Sequence, residues 1–72
     1  MAFVQQLNLL IRLHYLIKRK ATGTPDELAK RLSISRSALY NYIEVLRDLG
    51  AQITYCRSRQ TFHYYEEFEL SF

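Results

Sequence analysis

The sequence has little of what several classes of protein require. It contains a single cysteine, Cys56, so no disulfide can form within the chain. A small domain without disulfides fits a reducing cytoplasm better than a secreted location. The only two glycines, Gly23 and Gly50, exclude a glycine-rich phosphate-binding loop. Cys56 and the two histidines, His14 and His63, do not have a metal-binding spacing.

Long hydrophobic runs are also missing. Residues 1–20 begin with apolar residues, but Gln5, Asn8 and Arg12 interrupt them, and the basic residues follow the apolar ones. That order is the reverse of a secretory signal. The interrupted stretch is too short to span a bilayer. We therefore expect a cytoplasmic protein without a membrane partner.

Length and charge narrow the choice further. Seventy-two residues make one domain at most, without room for a substrate pocket between two lobes. Apolar residues form 49% of the chain, which is enough for one compact core. Residues 1–65 hold all ten Lys and Arg and four acids, a net +6, whereas residues 66–72 hold three Glu. A basic body fits a polyanionic partner, and it fits ordinary surface solubility equally well.

The hydrophobic pattern predicts a first helix at about residues 3–20. One side of this helix is apolar at helical spacing, with Phe3, Leu10, Leu13 and Ile17. The apolar arc is wider than one packing face needs, because it also includes Val4, Leu7, Ile11 and His14. The extension needs a further cover, and this is one reason to expect a homodimer.

A second helix is predicted at about residues 25–32. Thr24 is a good N-cap, Pro25 suits the first helical position, and Glu27 completes a capping box. Asp26 and Glu27 also lie favourably at the positive end of the helix dipole. The apolar stripe that we expect to be buried consists of Leu28, Ala29 and Leu32.

A third helix is predicted at about residues 35–49, with Ser35 as its N-cap. Gly50 suits the position after the helix, where the left-handed conformation ends it. The apolar face that we expect to pack consists of Leu39, Tyr42, Ile43, Leu46 and Leu49. The opposite face carries Arg36, Ser37, Tyr40, Asn41, Glu44 and Arg47.

The remaining residues predict a β-wing at about residues 51–65 and a tail at residues 66–72. Residues 51–55 and 61–65 are rich in β-branched and aromatic side chains, which favours two strands. Their connection, residues 56–60, is polar but lacks the Gly or Asn typical of tight hairpins. The apolar residues of the tail, which need a cover and so also favour a homodimer, are Phe68, Leu70 and Phe72.

Residues 24–50 thus form a short helix, a three-residue turn and a longer helix, which is a helix-turn-helix. The second helix of such a unit can enter the DNA major groove with its N-terminal residues at the base edges. Arg36 can contact guanine and Asn41 can contact adenine. Glu44 would repel phosphate unless it accepts from cytosine or pairs with a basic residue. An ordinary solvated helix face is equally compatible with this pattern.

The chain also resembles known regulators. The spacing of Leu28, Ala29, Leu32, Ser35 and Arg36 through to the final Gly resembles the helix-turn-helix of DeoR-type bacterial regulators. The segment TPDELAKRLSISRSALYNYIEVLRDLGAQITY is similar to the winged helix of regulators with a WYL ligand-sensing domain, and of the biotin-repressor type. The resemblance covers about residues 9–65. It implies a mainly α fold with a small β-hairpin, a three-helix winged helix-turn-helix.

Carried over by position, the resemblance implies DNA-facing residues at Ser35, Arg36, Ser37, Tyr40 and Asn41, with Arg57 and Arg59 at the wing tip. Arg47 is a further candidate DNA-contacting residue, because it lies on the face of the third helix opposite the apolar one. The chain departs from the DeoR-type pattern because Ser37, Tyr40 and Asn41 replace frequent basic residues and Ala38 replaces a common Thr. These departures predict low affinity for one half-site.

We therefore expect residues 1–72 to form one domain that binds double-stranded DNA selectively, as a transcription regulator or its DNA-binding domain. No enzymatic role, cofactor, metal or small-molecule ligand is expected. A winged-helix module for protein interaction is the alternative, favoured by Glu44, Asp48 and the acidic tail. Binding of single strands on aromatic strands is a second alternative, with Tyr55, Phe62 and Tyr64 as the stacking residues.

Overall fold

The computed structural model describes residues 2–70, and side chains from residue 4 onward. The elements in chain order are α1 (Ala2–Lys18), α2 (Pro25–Leu32), α3 (Arg36–Asp48), β1 (Ile53–Cys56) and β2 (Thr61–Tyr64). The predictions for Phe3 and Phe72 lie outside the described side chains. Across residues 2–70, no helix has the length and apolar character needed to cross a membrane.

The two strands form one antiparallel hairpin, with Ile53 opposite Tyr64 and Cys56 opposite Thr61. Three helices followed by this hairpin make a mainly helical winged helix-turn-helix, which confirms the predicted fold class. The strands are shorter than residues 51–55 and 61–65. Cys56, which we expected in the connection, is the last residue of β1.

The start of α2 has the predicted capping box. The Thr24 hydroxyl accepts from the Glu27 amide at 3.2 Å, and the Glu27 carboxylate accepts from the Thr24 amide at 3.2 Å. The Thr24 hydroxyl also donates to the Glu27 carboxylate at 2.9 Å, and this bond, together with the one from the Thr24 amide, lowers the pKa of Glu27. The box fixes the first turn of α2 directly after the loop from α1.

All three helices end in the same way. After each, one amide bonds to a carbonyl three residues back and the next amide bonds to a carbonyl five residues back, which is a Schellman motif. The left-handed residue is Gly50 after α3, as predicted, but Lys20 after α1 and Ser33 after α2. The left-handed Lys20 explains why α1 ends at Lys18 and not at residue 20.

The core lies between the three helices and the wing. Its buried apolar side chains are Leu13, Ile17, Leu28, Ala29, Leu32, Leu39, Ile43, Leu46, Ala51, Ile53 and Phe62. The stripe predicted for α2 is confirmed in full. The stripe predicted for α3 is wrong at Leu49, which is 51% exposed because it caps the helix end, and Tyr42 is only half-buried.

Two buried threonines join the wing to the helices. Thr22 lies in the loop after α1 and Thr61 begins β2, and their hydroxyl oxygens are 3.1 Å apart. The Thr22 hydroxyl accepts from the Phe62 amide at 2.8 Å, and the Thr61 hydroxyl accepts from the Thr22 amide at 3.2 Å. Each hydroxyl therefore satisfies a backbone amide from the other segment, which fixes β2 against the loop.

The tail lies against α1. The His14 ring is 3% exposed, with its Nδ1 2.8 Å from the Tyr64 hydroxyl, and the Phe68 ring meets it edge-on. Lys18 forms an ion pair with Glu69. Burial lowers the pKa of His14 and raises the pKa of Tyr64 to about 12. β2 and the tail therefore cover His14.

The Phe62 amide donates to the Thr22 hydroxyl, so Thr22→Val is expected to leave a buried N–H without this partner. The free energy of unfolding should fall by about 1–3 kcal/mol, measured by urea denaturation. Thr54→Val, on the half-buried side of β1, is the matched control and should change it by less than about 0.5 kcal/mol. Equal effects of the two substitutions would contradict this role of Thr22.

Candidate nucleic-acid interface

The turn between α2 and α3 comprises residues 33–35. Ser33 adopts the left-handed conformation, and its amide and that of Ile34 bond back to the last turn of α2. Ser35 is then the N-cap of α3, and its hydroxyl accepts from the Ala38 amide at 3.1 Å. Ser35 is exposed at the expected place, but its hydroxyl already stabilises the first turn of α3.

The first two turns of α3 present polar side chains to solvent. Arg36, Ser37, Tyr40 and Asn41 are all exposed, whereas Leu39 and Ile43 are buried in the core. The structure therefore brings these four predicted site residues together on one surface. Since they follow the N-cap directly, they stand at the end of α3 that a helix-turn-helix directs at DNA bases.

Arg36 contacts the first turn of α2. Its Nε lies 3.3 Å from the Asp26 carboxylate, across the turn from the start of α2. A hydrogen bond to Tyr40 and the charge of Asp26 raise the pKa of Arg36. The contact with Asp26 links the first turns of the two helices of the helix-turn-helix.

Arg47 lies on the last turn of α3 and connects it to the wing. Its Nη1 donates to the Glu44 carboxylate at 2.6 Å, and its Nη2 donates to the Ile53 carbonyl at 3.3 Å. Glu44 is therefore paired with a basic residue, one of the two arrangements expected for it. The pair neutralises the charge of Glu44 on the exposed face of α3.

The wing tip is a four-residue turn at residues 57–60. Arg57 and Arg59 are exposed on it, as predicted. Gln60 has a φ of +53°, so it fills the left-handed position where a Gly or Asn was missing. The Ser58 hydroxyl lies 3.3 Å from the Cys56 thiol and lowers the pKa of Cys56.

Three charged residues near this surface were not among the predicted site residues. Asp26 was interpreted only as a helix-dipole residue, but it contacts Arg36. Lys30 lies four residues after Asp26, on the same face of α2, and is exposed. Lys20 lines a small groove under the wing with Arg59, which only the tertiary structure could indicate. Helical spacing alone would have identified Lys30.

The surface is chemically suited to an anionic partner. It offers guanidinium, ammonium, amide and hydroxyl donors around the exposed N-terminus of α3. In the described part of the chain, no three His, Cys, Asp or Glu side chains lie close enough to hold a metal ion.

The fold and this surface define a winged helix-turn-helix domain. The chain belongs to a family of helix-turn-helix domains, whose pattern matches residues 6–65. This match includes α2, α3, the wing and most of α1. No curated protein matches the chain, and no solved structure matches it. Membership supports a DNA-binding, regulator-like function of a non-enzymatic kind.

Ser35 and Ser37 allow the structural and the surface roles of the first turn to be separated. Ser35→Ala removes the N-cap acceptor of the Ala38 amide and should lower the free energy of unfolding by about 1 kcal/mol. Ser37 is exposed two residues further along, and Ser37→Ala should change the free energy of unfolding by less than about 0.5 kcal/mol. Thermal unfolding followed by circular dichroism measures both. A Ser35→Ala variant as stable as Ser37→Ala would refute the capping role.

Proposed function

We propose that the protein binds double-stranded DNA in a sequence-selective way, as a transcription regulator or its DNA-binding domain. The observation that carries this proposal is the group of exposed donors on the first two turns of α3: Arg36, Ser37, Tyr40 and Asn41. They belong to the second helix of a helix-turn-helix, the element that enters the major groove in this kind of domain. Membership of the helix-turn-helix family supports the proposal.

The mechanism separates affinity from selectivity. Arg57 and Arg59 at the wing tip, with Lys30 on α2, would neutralise phosphates and provide most of the affinity. Arg36 and Asn41 have the side chains that discriminate guanine and adenine in the major groove. Phosphate contacts of this kind carry no sequence information, so selectivity depends on α3.

Ser35 and Arg47 would act at the edges of the interface. Ser35 holds the first turn of α3, where the helix N-terminus favours a phosphate. Arg47 cancels the charge of Glu44 and can approach the DNA backbone between α3 and the wing.

We also propose that all 72 residues act as one domain, in the cytoplasm, where its DNA would be. The motif spacing supports a relationship to the DeoR-type and WYL-type regulators within the helix-turn-helix class.

A homodimer is part of the proposal. On α1, Val4 and Tyr15 are 49% and 50% exposed, and Leu7 and Ile11 between them are only partly covered. The tail gives less support than the sequence indicated, because Phe68 packs on the protein's own core. The exposed stripe of α1 is apolar and lies away from the core residues of the same helix, so a second copy is a suitable cover.

The DNA-binding proposal can be tested by fluorescence anisotropy with a labelled random-sequence duplex at several salt concentrations. Arg57→Ala combined with Arg59→Ala should weaken binding and reduce the slope of log K against log salt by about two units, because each phosphate contact contributes about 0.9. Arg12→Ala combined with Arg19→Ala makes the same charge change at two exposed positions, one on α1 and one directly after it, and should leave the slope nearly unchanged.

A folded protein that binds no duplex at low salt would refute the proposal and favour a protein-docking module. Tighter binding of single strands than of duplex would favour the aromatic strands as the binding surface instead.

The homodimer can be tested by sedimentation equilibrium at micromolar concentration. The wild-type protein should be dimeric, and Ile11→Glu should make it monomeric, because a charge would be buried in the apolar contact. Gln5→Glu, with the same added charge at an exposed position of α1, should remain dimeric. A monomeric wild-type protein would contradict the dimer.

A further inference from the structure

An acidic residue beside a surface proposed to bind DNA needs a physical reason. Asp26 is exposed on the first turn of α2, on the same side of the domain as the start of α3, because its carboxylate contacts Arg36 there. Phosphates nearby would be repelled by this charge. The acid therefore costs affinity for any DNA, whatever its sequence, unless it contributes something else.

The contact between Asp26 and Arg36 indicates what this acid contributes. The carboxylate lies 3.3 Å from Nε of Arg36, which is the nitrogen closest to the aliphatic part of that side chain. A guanidinium has one N–H on Nε and four on its two terminal nitrogens. Because the carboxylate contacts the guanidinium at Nε, the two terminal nitrogens can act as a pair of parallel donors, the arrangement that matches O6 and N7 of guanine.

We infer that Asp26 is a positioning residue that holds Arg36 in the orientation selecting guanine at one position of the DNA site. This inference rests on the proposed function. A long, exposed arginine without such an anchor can contact phosphates and several base edges, so it contributes affinity without much discrimination. Asp26 limits Arg36 to the contact with guanine.

The inference predicts two effects of opposite sign for Asp26→Asn. Affinity for random duplex should rise about two- to three-fold, because one negative charge leaves the DNA-facing surface. The preference for guanine at the position contacted by Arg36 should fall about three- to five-fold, because the anchoring ion pair is lost. A purely structural role at the positive end of α2 predicts instead lower stability and an unchanged base preference.

The experiment begins with selection of duplexes from a random library by the wild-type protein. Arg36→Ala then identifies the position whose base preference depends on Arg36. Duplexes carrying each of the four bases at that position are measured by anisotropy with wild type, Asp26→Asn and Asp48→Asn. Asp48→Asn is the matched control, since it makes the same charge change on an exposed residue at the far end of α3. Thermal unfolding of each variant verifies that it is folded.

A guanine preference that Arg36→Ala abolishes, that Asp26→Asn weakens and that Asp48→Asn leaves intact would support the inference. Retention of the full preference in Asp26→Asn would overturn it and leave the proposed function standing. An Arg36→Ala variant that changes no base preference would also overturn it. A wild-type protein that binds no duplex would overturn the proposed function and the inference together.

Discussion

The orientation of the wing depends on the buried hydrogen bonds between Thr22 and Thr61. The hairpin is only two short strands, and such a hairpin has little stability of its own in water. Because the Thr22 hydroxyl accepts from the Phe62 amide, β2 has a defined place against the loop after α1. The Arg47 bond to the Ile53 carbonyl fixes the start of β1 relative to α3. These bonds hold the hairpin in a defined position relative to the loop after α1 and the end of α3.

The acidic residues near the proposed DNA-contacting surface form ion pairs with arginines. The two acids nearest to the proposed contacts, Asp26 and Glu44, both meet an arginine, Arg36 and Arg47. Exposed ion pairs of this kind contribute little to stability. Their effect is on the direction in which each guanidinium points and on the charge that a phosphate meets. This gives a physical reason for acidic residues in a basic domain.

Local features of this fold are the most predictable from sequence. The capping box at Thr24, the N-cap Ser35 and the left-handed Gly50 follow from neighbouring residues, and the structure confirms them. The prediction for Leu49 is wrong, because this residue has the right helical spacing but lies at the helix end, beyond the core.

Long-range contacts could not be predicted from the sequence, since no periodicity places Thr22 beside Thr61 or Asp26 beside Arg36. The left-handed Lys20 and Ser33 could not be expected either, because that conformation favours glycine. The predicted site residues lie on the expected faces, whereas their hydrogen-bond partners required the fold.

The start of α3 and the wing tip are proposed to form one surface that contacts DNA. Amide chemical-shift mapping of the labelled protein during titration with a duplex distinguishes this surface from the others. Shifts should be concentrated at residues 35–41 and 57–60, with little change along α1. Shifts confined to α1 and the tail, or no shifts at low salt, would refute the proposal.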